Sequence, residues 1–156
     1  MDDLSFSIDT RELDKALSGL PEKVSKQIVE DALQAAGNVV LEEMVALAPE
    51  RTDEMNPASN SLPPGILKAD LHVDVSVSAS GGANVRIGPT AVAGRVARWA
   101  NNGFTLTGHG KSRRSRRIIR AIPGKHFVEG AFDVTAQRAL DVLAEQIGQG
   151  LTDQKS

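Results

Sequence analysis

Along this chain, stretches in which every second residue is apolar give way to stretches in which every third or fourth is. Leu4, Phe6 and Ile8 alternate with Ser5 and Ser7, the period-two signature of a short strand. Asp9 followed by Glu12 resembles a capping box and opens a brief helix that stops near Gly19. Pro21 suits the first turn of a longer helix. Beyond it Val24, Ile28, Ala32, Ala35, Val39 and Leu47 recur at helical steps, giving one apolar face as far as Ala48. Such a helix is about 40 Å long, and Pro49 stops it. Residues 49–65 are polar and rich in Pro, Asn and Ser, which predicts a loop.

The clearest strand follows. Leu71, Val73, Val75, Val77 and Ala79 face one way, and His72, Asp74, Ser76 and Ser78 the other. One buried and one solvated face favours an antiparallel sheet. Ser80-Gly81-Gly82 supplies a turn, and Val85 with Ile87 makes the returning strand, ended by Gly88-Pro89. A short helix is expected around Ala91–Asn101, and Asn102-Gly103 breaks it. Ile118, Arg120 and Ile122 are expected to form one more edge strand. Pro123-Gly124 then turns the chain into a last helix, with Phe132, Ala136, Ala139, Leu140, Leu143 and Ile147 at helical spacing. Phe127, Ala131 and Phe132 are expected to anchor it against the sheet face of Val73, Val75 and Val77. The sum is α+β, a small antiparallel sheet packed against a long helix in the N-terminal half and a C-terminal helix. One domain is expected over 1–156, with a projecting loop at about 50–64 and a basic arm at about 103–125.

Composition narrows the class. A chain of 156 residues buries roughly 70% of its unfolded surface, enough for one core. Aromatics are only 3%, so the core is built from Val, Leu, Ile and Ala. Without Cys there is no disulfide framework, thiolate nucleophile or Cys-based zinc site. The acidic start MDDLSFSIDT lacks a signal-peptide layout, and no apolar run nears the roughly 20 residues of a membrane span. A soluble intracellular product is expected.

Charge is unevenly placed. From Gly103 to His126 the chain carries Lys111, Arg113, Arg114, Arg116, Arg117, Arg120 and Lys125 and no acid. The other 11 basic residues face 20 acidic ones, so the rest of the chain stands at −9. Such blocks mark interaction segments. The plainest reading of the arm is a solvated loop. A nucleic-acid reading predicts a log–log salt slope of about −6 for roughly seven phosphate contacts. Against it, the arm has no interleaved aromatics for base stacking, and the body is acidic. A protein-partner reading uses both charge blocks, because an acidic face and a basic arm on one chain suit head-to-tail contacts that close into rings. It is preferred, with proximity to DNA as a second role.

No catalytic constellation is legible. His72, His109 and His126 are too scattered to pair on a metal, and adjacent Glu42 and Glu43 diverge by about 100° around a helix. Gly81-Gly82 lacks the Lys and Ser/Thr of a phosphate loop, no GxGxxG opens a helix, and no Ser occupies a nucleophile elbow. Trp99, the single Trp, reads as a core or interface anchor. No enzyme activity, cofactor or metal is expected.

The order of the segments carries a resemblance. A long helix ends in Ala48-Pro49, and Gly65, Leu67 and Lys68 lead into an alternating strand. A later strand ends in Ile87-Gly88-Pro89, and a short helix runs into Asn102-Gly103-Phe104-Thr105. IPGKHFVEGAF then opens the last helix. Over roughly residues 10–147 this resembles the small minor tail and head-to-tail joining proteins of long-tailed bacteriophages. There, a helix ending in AlaPro precedes Thr-Gly-x-Leu-Arg, a Glu-Phe-Gly-Thr turn follows the short helix, and Pro-Phe-x-x-x-Ala-Phe opens the last helix. This chain departs at three points. An inserted loop separates Thr52 from Gly65, Asn102 stands where the family usually has an acid, and His126-Phe127 replaces Pro-Phe. The resemblance implies a structural virion protein, made in the host cytoplasm, that forms a ring in the neck or tail-completion layer. A hexamer is expected, with a dodecamer as the alternative. Its partners are adjacent neck and tail rings, with no cofactor, catalytic residue or membrane. A tail-terminator or head-stopper ring, or a nucleic-acid-binding protein using the arm, are the alternatives.

Overall fold

The computed structural model describes residues 21–50, 63–78, 82–107 and 118–154. The N-terminal strand and helix expected from sequence lie outside the described residues, as do most of the 50–64 loop and Lys111, Arg113, Arg114, Arg116 and Arg117 of the arm.

Helix α1, Glu22–Leu47, begins where the Pro21 carbonyl accepts the Val24 and Ser25 amides at 2.9 and 3.1 Å. It ends at Ala48, driven to extended backbone (φ −60°, ψ 129°) by the proline that follows. Ile28, Ala32, Ala36, Val39, Val40 and Met44 are buried along it; of the positions picked out by periodicity, Ile28, Ala32 and Val39 are among them, Val24 and Ala35 are half-buried, and Leu47 is exposed. Short helix α2, Ile66–Asp70, feeds directly into β1, Leu71–Val77, which pairs antiparallel with β2, Ala83–Pro89. The register sets Val73 opposite Ile87 and Val75 opposite Val85. This hairpin lies on α1 at Gly37. A Cβ there would come within 2.6 Å of Val73 Cγ1 and 3.2 Å of Val85 Cγ2, so helix and sheet approach too closely for any side chain.

Helix α3, Gly94–Asn102, leads into β3, Gly103–Thr107, which pairs antiparallel with β4, Ile118–Pro123. The last helix, α4, runs from Phe127 to Asp153. It lies antiparallel along α1, since Gly130 approaches Leu47 near its start and Gly150 packs on Ile28 near its end. The main core gathers Val40, Met44, Ala48, Leu67, Leu71, Ala93, Ala97, Phe127 and Ala131. A smaller one at the far end joins Ile28, Ala32 and Ile147. The architecture is α+β.

Two expectations change in detail. The β4 segment is not a further edge strand of the first sheet but half of a second two-stranded hairpin, whose other half, β3, the sequence pattern did not reveal. The last helix is anchored by Phe127 and Ala131, both buried, but its principal neighbour is α1. Val73 packs on Gly37 of α1, while half-buried Phe132 faces Val85 and Ile87 of β2 across a groove.

Candidate functional site

The base of the arm is the most tightly built polar region among the described residues. Asn101, at the end of α3, is 9% exposed. Its Oδ1 accepts the Val128 amide at 3.0 Å, and its Nδ2 donates to Asn102 Oδ1 at 2.8 Å and Glu129 Oε1 at 3.1 Å. Its backbone carbonyl accepts the His126 amide at 3.0 Å, beside the Lys125 amide donated to the Ala100 carbonyl at 2.8 Å. An α-helix leaves its first amides without intrahelical partners. His126 at the N-cap of α4 makes no side-chain cap bond, and Asn101 reaches across from α3 to do the capping. One buried amide therefore ties α3 to α4.

Backbone packing reinforces the junction. Gly103 takes φ 78°, turning the chain from α3 into β3, a conformation that a side chain disfavours. A Cβ on Gly103 would strike the Ile122 carbonyl, and one on Gly124 the Asn101 carbonyl. The β3–β4 register runs from Gly103 opposite Pro123 to Thr107 opposite Ile118. Residues 108–117, with five of the seven arm cations, thus connect two strands rooted in this clasp. Of the predicted site residues, Arg120 lies exposed on β4 and Lys125 exposed just before α4. Lys111, Arg113, Arg114, Arg116 and Arg117 are outside the described residues.

Around the clasp the surface is apolar in places. Trp99 is 45% exposed, and its ring lies 5.6 Å from that of Phe104 on β3. Trp99 is therefore a surface anchor beside the hairpin and not a core residue. Asp70 organises the start of α3. The Thr90 hydroxyl donates to its carboxylate, 2.6 Å from Oδ1 and 2.8 Å from Oδ2, and the Ala93 amide donates to Oδ2 at 3.1 Å. The Thr90 hydrogen bond, with the Ala93 amide assisting, holds the Asp70 carboxyl below its ordinary value.

Acids lie elsewhere. Along α4, Glu129, Asp133, Gln137, Asp141, Glu145 and Gln149 form an exposed row at four-residue steps, with Gln137 bonded to Asp141 and Gln149 to Glu145. Glu50, where the 50–64 loop begins, pairs with Lys68 of α2 at 3.4 Å. No cluster of metal-binding side chains occurs among the described residues, and no described helix is long and apolar enough to cross a membrane.

Residues 11–103 match the model of the HK97-gp10-like family, described as bacteriophage HK97 gp10, a proposed tail component. That is more than half of the chain. The chain belongs to this family of phage tail components. No curated protein and no solved structure matches it significantly. The HK97-gp10-like match ends at Gly103, where β3 begins, so the arm and α4 lie beyond it. Membership makes this a virion protein of the phage tail, of a structural class.

Sequence reasoning missed Asn101, Asp70 and the β3 strand. Asn101 read only as the last residue of the short helix, and only a partner 27 residues away reveals its role. Asp70 is legible only through Thr90, 20 residues on.

Proposed function

We propose that this HK97-gp10-like protein is a neck component that joins head to tail as a homo-oligomeric ring, hexameric in number, in the tail-completion layer. The observation that carries the reading is the acid-free, Arg-rich connection between β3 and β4, rooted in the Asn101 clasp of an otherwise acidic chain. The two strands that flank this basic connection are fixed at their base, and the acid row of α4 supplies a chemically matched surface on a second copy. Basic tip to acidic row is a heterologous contact, which closes into a ring when the rotation between copies divides a full turn. Arg suits it because guanidinium binds carboxylate bidentately.

The purified protein, alone and mixed with its neighbouring tail components, is expected to give closed rings by mass measurement and electron microscopy. A phage lacking the gene is expected to accumulate unjoined heads and tails. A protein that stays monomeric with every virion partner, in a phage that still joins heads to tails without it, overturns the reading. A nucleic-acid role for the arm is the alternative outcome, marked by duplex binding that weakens steeply with salt.

A further inference from the structure

Between β2 and α4, over the middle of α1, runs a groove of about 190 Å³ whose walls are almost wholly apolar. Leu33 and Val40 form its floor, Val85 and Ile87 one wall, and Phe132 and Leu140 the other. Such side chains in one open trough are costly to leave in water. The rim is acidic. On both helices, every charged residue three or four positions from a groove residue, and so on the same side, is an acid: Glu30 and Glu43 on α1, Glu129 and Asp133 on α4.

A second apolar feature stands elsewhere. Trp99 and Val92 are exposed, and the Trp99 ring leans on Phe104 of β3. Its charged neighbours are cations. Arg95 lies one turn before Trp99 and Arg98 directly beside it, both exposed. They belong to a stretch between Asp74 and Glu129 that holds Arg86, Arg95, Arg98, the seven cations of the arm and no acid. Trp99 cannot fill the groove of its own chain. It sits about 160° around α3 from Ala97, which is buried with Val40 in the main core, so the indole points away from α1.

We infer that Trp99 of one copy inserts into this groove on the next, a contact that rests on the ring reading above and supplies its apolar anchor. Size agrees. An apolar cavity of about 150 Å³ holds a benzene ring, and a groove of about 190 Å³ admits the larger indole. Charge agrees, since Arg95 and Arg98 arrive with the indole at a rim of carboxylates that guanidinium binds bidentately. Placement agrees as well. Phe104, on which Trp99 leans, lies on the strand that leads into the arm, while Glu129 and Asp133 open the acid row of α4. Seating the indole therefore brings the root of the arm towards that row, so both contacts belong to one interface. Knob and groove are different parts of one chain, which makes the contact heterologous and lets it propagate round a ring. Exposed ion pairs alone contribute little, whereas a desolvated Trp flanked by Arg is the kind of residue that dominates an interface.

Trp99 is the chain's single Trp and so reports on itself. Sedimentation of the full chain at rising concentration, alone and with its neighbouring tail components, gives the size of the assembly. Fluorescence of the same samples gives the state of the indole. On association of the chain with itself, Trp99 emission is expected to shift to the blue and acrylamide quenching to fall. Ala136→Phe, which fills the groove, and Trp99→Ser, which removes the knob, are each expected to weaken association roughly tenfold or more. Arg95→Glu, exposed and outside both cores, is expected to weaken it too, and serves where Ala136→Phe lowers the thermal midpoint. Rings in which Trp99 stays as open to acrylamide as in the monomer would overturn the inference and leave the ring reading standing. So would association unchanged by a folded Ala136→Phe or by Arg95→Glu, which would assign the indole to another surface. A chain that stays monomeric with every virion partner would overturn the ring reading and this contact with it.

Discussion

Asn101 shows how much one buried side chain can hold. Its amide satisfies the Val128 N–H at the start of α4 and meets Glu129 and Asn102, while its carbonyl takes the His126 amide. Asn101→Ala removes the side-chain acceptor and leaves a helix-start amide unpaired, at a cost of about 1–3 kcal/mol. Urea unfolding measures it; a loss under about 0.5 kcal/mol would show that water replaces the cap without penalty. Asp70 acts at the neighbouring helix start and carries a pH signature. Its carboxyl is held below its ordinary value of 3.8, chiefly by the Thr90 hydroxyl, so it favours the folded state when ionised. That contribution is present above the unfolded value and is lost as pH falls through the lower folded value. Thermal midpoints followed from about pH 7 to about pH 2 should therefore fall less steeply for Asp70→Asn than for the native chain. Parallel curves would mean that the hydrogen bonds do not depend on ionisation.

At the scale of elements, the antiparallel pair α1 and α4 is the spine, and Phe127 is its wedge. Phe127 is 2% exposed in the cluster with Met44, Leu71 and Ala131. Phe127→Ala is expected to cost about 3–5 kcal/mol, and Phe132→Ala clearly less because Phe132 is only half-buried. Calorimetry on the two variants decides it, and the reverse order would place the anchor in the groove. The contrast shows where sequence reading succeeds. A face repeated over 26 residues of α1 or 27 of α4 averages out local accidents, so both helices and the alternating β1 were legible. Five-residue β3 offers too few alternations, and its partner lies beyond the arm, so pairing at that distance leaves no local trace. Both anchor residues were legible as candidates, but which surface they meet was not, because Gly37 brings the hairpin against α1 by lacking a side chain. The cations of the site were legible as composition. The clasp at the foot of the two flanking strands was not, since it is made of backbone contacts and one amide.

For the whole molecule the issue is whether charge separation drives assembly. Seven cations occupy an acid-free stretch of a chain that otherwise stands at −9, and five of the seven are Arg. Exposed ion pairs are worth about 0–1 kcal/mol each, so single substitutions in the arm should be mild. A ring repeats each contact at every interface, however, and several pairs broken together weaken all of them at once. Changing Arg113, Arg114, Arg116 and Arg117 together to Ser is therefore expected to leave the subunit folded, because the Asn101 clasp and both cores lie outside the substituted stretch. Unchanged circular dichroism and thermal midpoint check that part. Ring formation or docking should fail, infectious yield should drop, and unjoined heads and tails should accumulate. Raised salt should weaken assembly of the native protein in the same direction, since screening acts on exposed charges beyond about 8–10 Å. Normal particles from the quadruple variant would refute assembly through the arm. Normal particles combined with lost affinity for duplex DNA would reassign the same four arginines to phosphate contacts.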